Sequence, residues 1–296
     1  TVSQEDDAEV RKISVTNNSN HVRQIEITSY LEVTLAPYDA DLVHPAFSNL
    51  FIQTEFLENP MCLIASRRPR TKNAEKNWLM QTVAIEGIQI GSFEYETSRE
   101  NFIGRDRDVS NPRAMDSDKQ LSMTIGSVID PVISIRVRVI IEPGKTCRAA
   151  YTTAVTNSRE GVVKLAEKYR DIATVNRIFE LSSSESNMQM QYLGLTSSKI
   201  NMYQIMASRI LFLNELMKKR SEYIKNIQKS QSSLWSYGIS GDLPIMTIII
   251  KQEKYISVVR QILGAHEYFC LKGLKVDLVI FNLEESSYTA PVQLQL

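Results

Sequence analysis

"ISIRVRVIIEPGKTCRAAYTTAVTN", residues 133–157, decides the fold class. Ile133, Ile135, Val137, Val139 and Ile141 alternate with Ser134, Arg136, Arg138 and Ile140, the period of two expected of a half-buried strand. Glu142-Pro143-Gly144-Lys145 then reads as a hairpin turn, Pro143 supplying a fixed φ and Gly144 a positive one. "CRAAYTTAVTN" resumes the strand pattern. At Asn157 the character changes abruptly. Asn157 is placed as an N-cap with Glu160 three residues on, a capping-box arrangement, and Val162, Val163, Leu165, Ala166 and Tyr169 follow at helical spacing.

Outward toward the first residue, the strand pattern continues. "VRKISVTN" (10–17), "RQIEITSYLEVTLAP" (23–37), "LFIQTEFL" (50–57), "MCLIASRRP" (61–69), "WLMQTVAIEG" (78–87) and "SFEYETSR" (92–99) are each bounded by Pro, Gly, Asn or a charged turn. Eight antiparallel strands with no helix between them predict a β-sandwich over residues 1–157. Outward in the other direction, residues 158–230 read as a helical linker. A second helix spans Asp171 to Tyr192 and a third runs from Ser197 to about Ile227. In the third, Ile200, Tyr203, Ile205, Met206, Ile210, Leu211 and Leu213 crowd a face broad enough to pack on more than one side.

Residues 231–296 read as β-α-β. "PIMTIII" (244–250) and "KVDLVIF" (275–281) flank a helix over 254–274, with Gly273 where a C-cap is wanted. Both strands are nearly continuous apolar residues, which predicts a parallel pair covered on both faces. The fold class is therefore mainly β with α: an antiparallel sandwich, linker helices and a small β-α-β element.

Composition excludes several function classes. Lys+Arg and Asp+Glu both number 34, so the formal net charge is zero and a phosphate-backbone partner is disfavoured. "IMTIII" falls far short of the roughly 18 apolar residues that a membrane span needs. Cys62, Cys147 and Cys270 are sparse and far apart, fitting a reducing compartment and offering no zinc site. His21, His44 and His266 are equally scattered. Nothing at the start resembles a signal peptide. Thr1 enters a strand pattern almost at once and "SSYTAPVQLQL" simply stops, so both ends read as cuts in a longer protein.

Three stretches are candidates for chemistry. "LWSYGISGDLPI" (234–245) concentrates Gly238, Gly241 and Pro244, and could present backbone N–H groups to a sugar hydroxyl or a phosphate. Its glycines precede a strand, and no phosphate-loop or G-x-G-x-x-G spacing is present. The physical reading favours a structural turn, with Asp242 capping backbone amides. "RENFIGRDRDVSNPRAM" (99–115) gathers Arg99, Arg105, Arg107 and Arg113 with Asp106 and Asp108 around Gly104. Arginine forks and carboxylates hold sugars and phosphates, but they also neutralise one another on solvated loops. Phe102 and Ile103 among these charges argue against pure solvent exposure, and both readings stand. His44 in "HPAFSNLF" (44–51) reads as structural, since no nucleophile motif accompanies it. Spacing singles out no pair of carboxylates for glycoside chemistry.

A resemblance extends this reading. "EVRKISVTNNSNHVRQIEITSYLEVTLAPYDADLVHPAFSNLFIQTEF" resembles the sandwich region of cyclic β-1,2-glucan synthases, which end in a phosphorylase-like module of glycoside hydrolase family 94. "RRPR", "YETSRENFIGRDR", "GSVIDPVISIRVRVIIEPG", "QSSLWSYGISGDLPI" and "RQILGAHEYFCLKGLKVDLVIFN" carry it along essentially the whole chain. Such modules are similar to β-1,2-oligoglucan phosphorylases, which cleave the glycosidic bond with inorganic phosphate and invert the anomeric centre.

The resemblance implies a β-supersandwich and linker helices ahead of an (α/α)6 barrel. It places the general acid and the phosphate site in that barrel, leaving no catalytic residue in this chain. Phosphate is then a co-substrate of the parent, no cofactor is required, and the location is cytoplasmic or the cytosolic part of an inner-membrane synthase. Expected partners are β-1,2-glucan, the barrel and a second copy. Expected sugar contacts are Arg105 and Arg107, with Tyr237 and Asp242 raised less. Two other functions compete. A stand-alone carbohydrate-binding module is weakly supported, because only Trp78 and Trp235 are present and no aromatic stripe is visible. An assembly domain would dock through the apolar face at 200–213.

Overall fold

The computed structural model describes residues 1–69, 76–116, 119–212, 224–283 and Val292. Its chain contacts divide into two compact units, Thr1–Glu185 and Ser186–Leu296.

The first unit is a sandwich of two antiparallel sheets. Strands β1 (Ala8–Thr16), β2 (Arg23–Thr28), β3 (Leu31–Glu32), β4 (Ile52–Glu58), β5 (Met61–Arg67), β6 (Trp78–Glu86), β7 (Ile88–Ser98), β8 (Pro131–Ile141) and β9 (Thr146–Thr156) build it. One sheet has the order β1-β9-β6-β5-β4; in the other, β8 pairs with β2, β3 and β7. The inward residues of β8, Ile133 to Ile141 at every second position, meet Leu63, Ala65, Leu79, Val83 and Tyr151 in the core between the sheets. The outer face of the five-stranded sheet is also covered. Helix α4 (Arg159–Tyr169) and the first turns of α5 (Ile172–Tyr192) lay Val162, Ala166, Tyr169, Val175 and Ile178 on Val10, Ile64, Met80 and Ala154. Burial on both faces explains why β5 reads "MCLIA" without alternation.

Several expectations are corrected. Residues 142–145 do turn, Lys145 N–H donating to the Glu142 carbonyl at 3.1 Å with Gly144 at φ 69°. They join strands of different sheets, however, because β8 and β9 each pair with other partners, so this is an arch and not a hairpin. The long strand at 23–37 is interrupted at Ser29, whose hydroxyl accepts the Ile135 N–H at 2.9 Å in place of a ladder carbonyl. Short helices do intervene: α1 (Tyr38–Val43), α2 (Pro45–Asn49) with Pro45 in its first turn, and α3 (Arg99–Ile103). The cap of α4 is Ser158 rather than Asn157, its Oγ accepting the Gly161 N–H at 3.0 Å.

In the second unit, α6 (Ser197–Leu211) ends where Phe212 turns extended, at φ −121° and ψ 133°. Leu213 and most of the stretch expected to continue that helix to Ile227 lie outside the described residues. Ile200, Tyr203, Met206 and Ile210 pack on Ala265, Tyr268 and Phe269 of α7 (Ile256–Leu271), whereas Ile205 and Leu211 are exposed. Among the described residues that face is packed on one side. Strands β10 (Ile245–Ile250) and β11 (Asp277–Asn282) pair in parallel, as the sequence predicts. Only one face is covered among the described residues: Met246, Ile248 and Ile250 turn inward while Ile249 and Phe281, opposite each other, stay exposed. Gly273 closes α7 at φ 76°. Leu274 N–H donates to the Phe269 carbonyl at 2.9 Å and Gly273 N–H to Cys270, the two bonds of a Schellman motif.

Candidate functional site

The stretch 99–115 begins as a helix and is then clamped to the sandwich. Ser98 caps α3, its hydroxyl accepting the Asn101 N–H. Phe102 and Ile103 are buried with Ala114, Leu121 and Val132, and the Phe102 ring lies 4.8 Å from that of Tyr30. These two apolar residues are anchors. Gly104 sits at φ 86°, and a Cβ there would come within 2.8 Å of the Arg113 Cβ, so the chain crosses itself at this point.

Beyond the anchor the charges separate. Arg107 pairs with Asp116 at 2.6 Å, and the guanidinium's hydrogen bond holds that carboxyl below the usual range. The Ser110 hydroxyl and backbone N–H do the same for Asp108, an Asx-type turn. Arg99 joins Glu32 at 3.0 Å, and Tyr30 donates to the same oxygen at 2.7 Å. Burial and then the Glu32 hydrogen bond push the Tyr30 phenol up to about 12. Arg105 has no ion pair or hydrogen bond among the described residues.

What fixes this loop lies beneath it, on the outward face of β7 and β8. Arg136 is 2% exposed, a buried guanidinium. Its Nη1 donates to the Lys119 carbonyl at 2.6 Å, its Nη2 to the Ala114 carbonyl, and its Nε to Thr28 Oγ1 at 3.0 Å. Glu94, directly opposite it across the strands, stands 3.5 Å away and accepts the Leu121 N–H at 3.0 Å. Glu96, 1% exposed, accepts N–H groups of Thr97, Ser98 and Ser122 and the Ser122 hydroxyl. Arg136 and Glu94 thus satisfy one another, and with Glu96 they satisfy the loop backbone.

Sequence reasoning missed Arg136, Glu94 and Glu96, because alternation alone assigns them to a solvated strand face. The available signal was opposite charge at the same outward parity of two neighbouring strands, Glu94 against Arg136.

The other candidates, Tyr237 and Asp242, belong to the second unit. Gln231–Tyr237 forms a 3-10 helix ended by Gly238 in the left-handed region at φ 73°. The Gln231 amide donates to the Ser240 carbonyl and to Asp242 Oδ1, each at 3.0 Å, and the Trp235 indole N–H reaches the Ser240 carbonyl at 3.3 Å. Asp242 therefore accepts a side-chain amide, correcting its assignment as a cap of backbone amides. Tyr237 is 80% exposed. Of the two tryptophans, Trp78 is buried and Trp235 exposed. Among the described residues no group of three His, Cys, Asp or Glu side chains could hold a metal ion, and no helix is long and apolar enough to cross a membrane.

Two stacked antiparallel sheets, a helical cover and a clamped loop frame the comparison with known proteins. A family model described as "Glycosyl hydrolase 94, supersandwich domain" matches residues 1–172, more than half of the chain. The chain belongs to the glycosyl hydrolase 94 supersandwich family. The supersandwich match includes every strand of the first unit, the clamped loop and α4. The chain is also similar to "Cyclic beta-(1,2)-glucan synthase NdvB" of Rhizobium meliloti (strain 1021), 32% identical over 292 residues, which is 99% of this chain and 10% of that protein. The supersandwich, the helices after it and the β-α-β element thus span a tenth of that relative's length.

Proposed function

We propose that this chain is the sandwich-and-linker portion of a protein that makes or phosphorolyses β-1,2-glucan, that it performs no bond chemistry itself, and that it supports a catalytic barrel and shapes its carbohydrate cleft. The observation that carries the reading is the similarity to a glucan synthase along nearly the whole chain, joined to the supersandwich match. Arg105 and Arg107 serve the carbohydrate cleft. The support for this role is physical: Arg105 is uncommitted among the described residues, and a loop clamped by Arg136, Glu94 and Glu96 can hold a guanidinium in place without using it. Tyr237, with its ring in solvent, and Asp242 are secondary sugar contacts. The parent acts in the cytoplasm or on the cytosolic side of a membrane, with inorganic phosphate as co-substrate of its phosphorolytic step and no resident cofactor.

The test has two arms. Incubated with β-1,2-gluco-oligosaccharide and inorganic phosphate, this chain alone should release no glucose 1-phosphate; release would overturn the non-catalytic assignment. In the parent protein, replacing Arg105 and Arg107 together by Ala should raise KM for the oligosaccharide by about tenfold or more, the effect of one charged hydrogen bond. An unchanged KM would remove the loop from the cleft.

A further inference from the structure

A second cleft has a polar floor that shares no residue with that loop, although Tyr30, which packs on Phe102, also lines it. It opens at the β1 edge of the sandwich, where the inward face of the five-stranded sheet changes character along its length. Residues opposite one another form rows: Ile13, Ala149 and Ile85, then Arg11, Tyr151 and Val83, then Glu9, Thr153 and Gln81. The first row is apolar and the last entirely polar. Thr28, Ser29, Tyr30 and Leu31, from the other sheet's side, complete the lining, and the space between measures about 210 Å3. That is small for an enzyme pocket and fits one sugar-sized ring.

The hydrogen-bonding capacity of this floor is half filled. Gln81 is 4% exposed. Its carbonyl accepts from Ser29 at 2.6 Å and its amide donates to Thr153 Oγ1 at 3.3 Å, which leaves one N–H and one lone pair unused. The Thr153 hydroxyl accepts that bond and has no acceptor for its own proton among the described residues. Arg11 spends two of its five N–H groups on Glu9, at 2.8 and 3.2 Å, and leaves three. The Tyr151 hydroxyl donates to the Ile27 carbonyl and keeps its lone pairs. Donors and acceptors therefore alternate across the floor, and Glu9 and Arg11 cancel in charge. An inward-pointing charge on an edge strand can also deter strand addition, but that duty needs neither Gln81 nor Thr153.

We infer that this cleft is a non-catalytic binding site for a neutral polyhydroxylated ligand, one pyranose unit of a carbohydrate. Each hydroxyl of such a ring both donates and accepts, matching groups whose vacancies come in both kinds. Paired charges of opposite sign give no field that would select an anion or a cation. The inference goes beyond the proposed function, since none of these residues belongs to the 99–115 loop.

The experiment is an amide chemical-shift titration of the full chain with glucose and with the β-1,2-linked glucose disaccharide. Inorganic phosphate serves as the ionic control. Saturable shifts are expected at residues 9–13, 29–31, 81 and 151–153, with dissociation constants on the order of millimolar for one ring in an open cleft. Arg11→Ala, on an exposed edge, and Thr153→Val, which keeps the side chain's shape, should each weaken binding by about tenfold, the loss of one hydrogen bond to a sugar. The unfolding midpoint confirms that both variants are folded. Absence of saturable shifts up to about 0.1 M sugar, shifts confined to other residues, unchanged affinity in both folded variants, or tighter binding of phosphate would each overturn the inference.

Discussion

The loop at 99–124 and the turn at 231–244 both carry glycines, exposed aromatic or charged side chains and candidate sugar contacts, yet they are held in opposite ways. The first takes its shape from strands far along the chain: Arg136 and Glu94 bind its backbone from below, 17 and 27 residues from their partners Lys119 and Leu121. The second is closed by its own neighbours, with Gln231 reaching Ser240 and Asp242 from 9 and 11 residues away, all of them in exposed sequence. A loop built on a buried charge network should fail as a block when one member is lost. A turn built on exposed local bonds should loosen by small steps.

The sharpest way to break this contrast is Arg136→Met. It leaves Glu94 with only the Arg138 guanidinium, at 3.4 Å, and the carbonyls of Ala114 and Lys119 without their donor, so a loss of about 3–5 kcal/mol is expected in urea unfolding. Amide protection should vanish across 119–124. A loss under about 1 kcal/mol would mean that solvent already reaches the network.

Gly241→Ala comes next. The residue holds φ 79°, and a new Cβ would sit 2.8 Å from Gln231 Cγ, so about 1–2 kcal/mol of local strain is expected. Faster amide exchange should appear at Gly238–Asp242 and nowhere in the first unit.

A smaller effect is pH-dependent and belongs to the first loop's edge. The folded Tyr30 phenol is raised to about 12 from an ordinary 10, so its protonated form is favoured by folding. Its contribution is fully present below pH 10 and is lost as pH rises from 10 toward 12. Tyr30→Phe should remove that part of the alkaline decline, and unfolding midpoints of the two proteins measured from pH 9 upward (about 1 unit below the ordinary tyrosine value) should converge as pH rises. Midpoints that stay parallel would show that the phenol titrates alike in both states.

Asp242→Ala deletes one exposed hydrogen bond and should lower stability by about 0.5–1 kcal/mol. Unchanged stability with lost activity in the parent would make Asp242 a binding residue rather than a brace. Smallest of all is Arg105→Ala, expected to leave the unfolding midpoint unchanged, since the side chain has no partner among the described residues to lose.

The same contrast explains what could be read from sequence. Phe102 and Ile103 spoke against full solvent exposure because apolar residues favour burial, and the structure buries both. The turn at Gly273 was legible because a left-handed residue after a helix favours glycine. Glu142–Lys145 was misread as a hairpin for a definite reason: turn chemistry reports a change of direction, and it is silent on which sheet the next strand joins. Arg136 and Arg138 looked alike in an alternating strand, yet Arg136 is sealed beneath Ala114 and Lys119 while Arg138 reaches Glu26 nearer the surface.

By itself the sequence determined the strand-rich first half, the switch to helix near residue 157, the parallel β-α-β pairing and the resemblance that names the family, because these rest on local periodicity, capping and motif order. Tertiary structure alone decided which strands share a sheet, that β5 and β6 are covered on both faces, that three buried charges clamp the 99–124 loop, and that Glu9, Thr153 and Gln81 form one polar row. Those depend on residues distant in sequence meeting across strands, where burial turns a modest surface charge into a group that must be satisfied.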